Sequence, residues 1–289
     1  MGERKQTARE RAEQAYAKCV FTRSELVRGG MTGRQITASV RAGLLMRVRR
    51  DRYAVAQTSD DVIESVRVGG RLSCLSLLRS MGVFVHECEQ LHIEVLHGAS
   101  RIRTPRAEST RVHWCARADD EPSLHAGSLT VAVRESIRCQ TPRAAVATLD
   151  SVLHCRLMTL EQVEQVFAGL PARFSAILRL VDPSAESGPE TFMRLILRGL
   201  GVRFETQVHI PMVGRVDFVV DGWLIIECDS KEFHEGWDKQ VDDRSRDIAA
   251  AGQGYVTVRP LASDIMKDPE PVRRALAAVI DALGGRARR

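Results

Sequence analysis

Residues 213–234 read VGRVDFVVDGWLIIECDSKEFH. An Asp-Gly pair between two β-rich runs is a strong hairpin signal, because a two-residue turn needs positive φ that Asp tolerates and Gly adopts freely. Residues 213–220 therefore read as one strand and 223–229 as its partner. The second run is apolar nearly throughout, which predicts a central strand. Yet it carries Glu227 and Asp229, and its partner carries Asp217 between Val216 and Phe218. Carboxylates in buried strands are costly unless a cation pairs with them. Side chains alternate along a strand, so Glu227 and Asp229 share a face, which Lys231 joins if the strand continues. Asp217, on the hairpin partner, is placed to face them. Such a hard, oxygen-rich set suits Mg²⁺ or Mn²⁺. An ion there would hold a scissile phosphate and sharpen a water for in-line attack.

Outward from this hairpin, Pro183-Ser184 and Gly188-Pro189 break the chain. A helix is expected over 190–198, ending at Gly199-Leu200-Gly201, and then a strand over 204–210. Downstream, DDRSRDIAAAGQGYVTVRP (242–260) gives a further helix. A C-terminal helix follows from about residue 270, amphipathic through Val272, Leu276, Val279, Ile280 and Leu283. These runs, in this order, resemble the PD-(D/E)xK nuclease superfamily. They are most similar to its branch related to very-short-patch-repair (Vsr-like) endonucleases. The resemblance implies a restriction-endonuclease-like α/β domain with a mixed central sheet. It implies Asp217 as the central metal ligand, Glu227 as the second, and help from Glu190 on the first helix. It places Asp229 where the wider superfamily has lysine. His234 matches a family histidine that serves as acid-base or phosphate contact. The family usually has glycine where Ser230 stands, so two frames compete, Glu227-x-Asp229 and Asp229-x-Lys231. The flanking hydrophobic residues favour the first.

At the other end, Thr22-x-x-Glu25 and Thr32-x-x-Gln35 are capping boxes that open two short helices, separated by Gly29-Gly30. A helix over 7–18 precedes them. Residues 44–56 follow as a hairpin in which Leu45, Arg47 and Arg49 alternate with Leu44, Met46 and Val48. Helix, tight turn, helix and hairpin make a winged helix-turn-helix, whose second helix enters the major groove while the wing meets phosphates. Arg34, Gln35 and Arg41 on that helix, with Arg47, Arg49, Arg50 and Arg52 on the wing, are the expected DNA contacts. The segment 21–55 resembles the N-terminal domain of AbiEi-type antitoxins, which implies DNA-binding autoregulation in a toxin–antitoxin operon.

Composition agrees with this division. The 289 residues are 44% hydrophobic and 27% charged, with a net charge of +5, the profile of a folded globular chain of about two domains. The charge is unevenly spread. Residues 1–56 hold 13 basic and 5 acidic side chains, whereas 57–183 and 184–289 are each slightly negative. An excess confined to one small module points to a polyanion contact there. Three domains are thus expected: a winged helix (1–56), an α+β middle region (57–183) and an endonuclease-like domain (184–289), for an α/β, or multidomain α+β, protein. In the middle, helices are read over 60–68, 73–81, 142–155, 159–168 and 171–180, with strands over 91–97, 111–116 and 129–133. The order of elements resembles the second part of AbiEi-like proteins.

Seven widely spaced cysteines without a CxxC pair read as reduced, mostly buried thiols, and no structural metal site is expected. His86, His92, His97, His113 and His125 read as core or surface residues, since no spacing ties them together. No apolar run is long enough for a membrane span, and the first residues lack the apolar core of a secretory signal. The expectation is a cytoplasmic, nucleoid-associated bacterial protein that binds double-stranded DNA. It would hydrolyse phosphodiester bonds with Mg²⁺ or Mn²⁺ in repair or phage defence. A homodimer partner, or a toxin or repair protein, completes the expected partners. The alternative is an antitoxin-like regulator with an inactive nuclease fold.

Overall fold

The computed structural model describes residues 6–106, 109–116, 123–229 and 237–284. The chain divides into two compact units, Met1–Thr141 with Cys155–Ser175, and Pro142–His154 with Ala176–Arg289. Helices and mixed sheets make the protein α+β. Among the described residues no helix is long and apolar enough to cross a membrane.

The first unit opens with α1 (Ala8–Tyr16), β1 (Val20–Phe21), α2 (Arg23–Arg28), α3 (Gly33–Arg41), β2 (Leu45–Arg49) and β3 (Arg52–Val55). All three helices begin on complete capping boxes, Thr7 with Glu10, Thr22 with Glu25 and Thr32 with Gln35. Each box satisfies backbone N–H groups that the first turn leaves unpaired. Gly30, at φ 93°, carries the chain between α2 and α3, a backbone that a Cβ would strain. Leu26, Ile36, Leu45 and Tyr53 form the core beneath a three-stranded antiparallel sheet of order β1-β3-β2. This is a winged helix-turn-helix arrangement, with β2 and β3 as the wing. The wing corrects the simple alternation expected for it. A register shift between Arg47 and Arg49 adds a residue to β2, so Leu45 and Val48 are both buried while Met46 is exposed.

The same unit continues with α4 (Asp60–Val68), β4 (Arg71–Leu72), α5 (Cys74–Ser80), β5 (Leu91–Leu96), β6 (Thr110–Cys115) and α6 (Leu129–Cys139). β5 lies between an antiparallel β4 and a parallel β6. Residues 129–133, expected as a strand, begin α6 instead. Ala132, Val133, Ser136 and Ile137 are its buried positions, a helical spacing that outweighs the β-branched composition of five residues. Tyr16 donates to the Gly127 carbonyl at 2.9 Å and Arg103 to the Val48 carbonyl at 3.4 Å, tying the winged helix to the elements that follow it.

The next helix, α7 (Pro142–His154), belongs to the second unit, and α8 (Leu160–Ala168) returns to the first. A 3₁₀ turn (Ala172–Phe174) and α9 (Ser175–Leu178) replace the single helix expected over 171–180. The second unit continues with α10 (Gly188–Leu200), β7 (Phe204–Ile210), β8 (Gly214–Val220), β9 (Leu224–Ile226), α11 (Trp237–Gly252), β10 (Val256–Val258), α12 (Ala262–Lys267) and α13 (Pro269–Leu283). Its sheet has the order β10-β9-β8-β7. The first three of its strands in sequence form an antiparallel meander, and β10 returns parallel to β9 after α11. Asp221 and Gly222 both have positive φ (48° and 79°), and the Trp223 N–H closes the turn on the Val220 carbonyl at 3.1 Å. β9 is central, as its apolar sequence predicts, with Leu224, Ile225 and Ile226 all buried.

Candidate functional site

In the second unit, α10, β7, β8 and the end of β9 bring four polar side chains into one region. Ser187 caps α10 and donates to Glu190 Oε1 at 2.7 Å, while the Glu186 N–H donates to Glu190 Oε2 at 2.9 Å. These bonds fix Glu190, which is buried at the first turn of its helix. Gln207 lies opposite Asp217 in the β7–β8 pair, between the Thr206–Phe218 and Val208–Val216 partners. Its φ of 54° is left-handed in mid-strand, a conformation a non-glycine residue holds only when its surroundings impose it. The Gln207 amide donates to Glu190 Oε2 at 2.9 Å, and its buried carbonyl oxygen has no hydrogen-bond partner. Asp217 accepts the Cys228 N–H at 2.8 Å.

Burial raises the proton affinity of all three acids. Glu190 is pushed up by desolvation and further by the charges of Asp217 and Glu186. Asp217 is raised by desolvation, which the Cys228 N–H and the Gln207 amide partly offset. Glu227 is raised by desolvation against the pull of Arg259 and Arg246. The Cys228 thiol, among these carboxylates, is raised far above its ordinary range by burial and then by their charges. Glu227 is the acid with cationic partners at hand. Arg246 Nη2 donates to Oε1 at 2.9 Å, and Arg259 Nε lies 2.9 Å from Oε2. Arg259 also pairs with Asp247 at 2.8 Å, and Arg246 binds the Val213 and Arg215 carbonyls.

The structure therefore brings Glu190, Asp217 and Glu227 into electrostatic contact. Asp229 is exposed beyond β9, where its backbone pairs with Pro260 and Ala262. Lys231 and His234 lie outside the described residues. Among those described, no three carboxylates converge within ligand distance of a common point. Gln207 was missed by sequence reasoning, since a glutamine in an alternating strand carries no signal of its own. Among the described residues, Asp217 and Glu190 are hard oxygen donors with no arginine or lysine in salt-bridge contact, the donor type that a divalent ion takes, and the Gln207 amide turns its N–H toward both. Glu227 as placed does not fit, because arginines hold both of its oxygens.

In the first unit, Ile36 and Val40 turn α3 inward, which leaves Arg34, Gln35, Thr37 and Arg41 outward and exposed. Gln35 spends its carbonyl oxygen on the Thr32 cap. On the wing, Arg47 and Arg50 are exposed. Arg52 is half-buried and donates to the Asp51 carbonyl at 2.7 Å, and Arg49 reaches the Arg101 carbonyl at 3.3 Å. Arg49 is thus a tether of the wing, its proton affinity lowered by burial and then by Arg103 and Arg52. A scan against protein-family models and a search of curated protein sequences each find no match to this chain.

Proposed function

We propose that this protein binds double-stranded DNA through its winged helix and hydrolyses phosphodiester bonds with an endonuclease-like second unit that uses Mg²⁺ or Mn²⁺. The observation carrying the hydrolytic reading is the cluster of Glu190, Asp217 and Gln207. Two chain segments place hard carboxylate donors beside each other, where burial raises the proton affinity of both, with a strained backbone at Gln207, whose amide N–H faces them. Asp217 and Glu190 would hold the ion. When bound, it would supply charge neutralisation at the phosphate and a more acidic water. The Ser187 hydroxyl and the Glu186 N–H orient Glu190, and the Cys228 N–H orients Asp217. The exposed arginines of α3 and the wing supply sequence-independent affinity and groove contacts. A cytoplasmic, nucleoid-associated place follows from this reading.

Full-length protein incubated with supercoiled plasmid and Mg²⁺ or Mn²⁺ tests it, beside Asp217→Asn and Glu190→Gln. Nicking or linearisation that falls at least 100-fold in both variants, with DNA binding retained, is the expected result. A second reading, an antitoxin-like regulator with a silent nuclease fold, is favoured by the two arginines on Glu227. Tight binding to its own promoter without cleavage in either metal would establish that reading and overturn the first.

A further inference from the structure

A cluster in the first unit, apart from the acidic site and unrelated to the proposed hydrolysis, combines residues that the sequence scatters. Cys74 is the first residue of α5, His92 lies on β5, His113 on the parallel neighbour β6, and Cys139 ends α6. One donor atom from each lies within 4.8 Å of every other. His92 Nδ1 faces His113 Nε2 at 3.0 Å, and Cys139 Sγ is 3.9 Å from the same His113 nitrogen. The imidazoles stack with centroids 5.3 Å apart. Cys74, His92 and His113 are buried, and Cys139 is half-buried.

We infer that Cys74, His92, His113 and Cys139 form a structural Zn²⁺ site. Two thiolates and two neutral imidazoles are the soft, mixed donor set that zinc takes in tetrahedral Cys₂His₂ centres. With Zn–S near 2.3 Å and Zn–N near 2.0–2.1 Å, the edges of such a tetrahedron are about 3.3–3.8 Å. The separations here need to change by no more than about 1.3 Å to meet them. Four protein ligands leave no open position, so the site is structural rather than catalytic.

Two features around the ligands support the assignment. Glu135 Oε2 lies 3.5 Å from His113 Nδ1, on the side away from the cluster. A carboxylate there holds the proton on Nδ1 and turns Nε2 inward as a lone-pair donor, the usual outer partner of a metal-bound histidine. Cys74 has φ of 50°, a strained backbone for a residue with a side chain, and that geometry brings its sulfur to the others. Without an ion, two imidazole nitrogens and two sulfurs would share a buried space with only weak thiol hydrogen bonds among them. With it, one ion ties α5, β5, β6 and α6 together across spacings of 17, 20 and 25 intervening residues, which no CxxC search detects. The expectation of no structural metal site thus rested on local spacing that these ligands do not have.

Full-length protein purified without chelators should contain about one zinc per chain by inductively coupled plasma mass spectrometry. Cys74→Ser and Cys139→Ser should each lose it, and Cys155→Ser should retain it. Glu135→Gln should weaken zinc affinity about 10–100-fold in chelator competition. If a cysteine variant fails to fold, Co²⁺-substituted wild type still decides, because tetrahedral thiolate coordination gives intense visible ligand-field bands and a near-ultraviolet charge-transfer band. Zinc-free protein whose Co²⁺ form lacks those bands would overturn the assignment. A Cys74–Cys139 disulfide in non-reducing peptide maps of freshly isolated protein would overturn it as well. Retention of zinc by Asp217→Asn, with loss of any nuclease activity, would keep this site distinct from the acidic one.

Discussion

Asp217 sits where burial and neighbouring acids favour its neutral form, so in the absence of a metal its charge destabilises the fold. Because its folded proton affinity is raised, its contribution to stability is fully present below the ordinary carboxylate range, near 3.9 for Asp. That contribution is lost as pH rises through the folded value. Asp217→Asn removes the charge while keeping an oxygen to accept the Cys228 N–H. In chelator, the variant should melt above wild type by a few degrees at pH 7, the scale of about 1 kcal/mol. The gap should shrink as pH falls toward 4 in calorimetric scans. A variant that melts lower than wild type across that range would show that Asp217 is already compensated. Added Mg²⁺ should raise the melting temperature of wild type and leave the variant unmoved, because the ion binds only the folded, charged site. Asp217 and Glu227 were legible as acids in strands that alternation and hydrophobicity marked as buried. The arginines on Glu227 were not, because Arg246 and Arg259 approach from α11 and the segment after β10, and pairing across such distances leaves no periodic trace.

At the scale of elements, the helix starts of the winged helix were readable because a capping box is local, four residues deciding their own hydrogen bonds. The β8–β9 turn was readable for the same reason. Residues 129–133 misled because the buried stripe of α6 shows its helical spacing only when followed to Ile137. The junction of α7 and α10 was invisible in sequence and holds a buried ion pair. Arg194, fully buried, donates to Asp150 Oδ2 at 2.6 Å and to the Leu180 carbonyl at 2.8 Å. Thr191 and the Asp182 N–H complete the Asp150 shell at 2.8 and 2.7 Å. Desolvation raises the Asp150 proton affinity, with Arg194 the main counterweight. Arg194→Met alone leaves that carboxylate buried without its cation and should cost roughly 3–5 kcal/mol in urea unfolding. Asp150→Asn with Arg194→Met should cost clearly less than the sum of the single changes, since the double variant leaves no buried charge. Additive costs in that cycle would mean that the pair is not coupled.

For the whole molecule the governing fact is that the net charge of +5 is an average over unlike parts, with the excess confined to the first 56 residues. The structure sorts those bases. Arg34, Arg41, Arg47 and Arg50 are exposed on α3 and the wing, whereas Arg49 is drawn to a backbone carbonyl of its own unit and Arg52 to that of Asp51. Each phosphate contact releases counterions, so the slope of log affinity against log salt counts contacts at about 0.9 per phosphate. Replacing Arg34, Arg41, Arg47 and Arg50 together by alanine should flatten the slope by about 2–4 for duplex DNA. Arg49→Ala should leave the slope nearly unchanged while lowering stability through the lost wing tether. Fluorescence anisotropy on full-length protein across a salt series measures the first, and thermal melting measures the second. Asp217→Asn should keep the wild-type slope, because an acid that binds a cation adds no phosphate contact. If the Arg49 change flattened the slope as much as the four surface changes, the wing would be meeting DNA through the tether instead, and the sorting by exposure would be wrong.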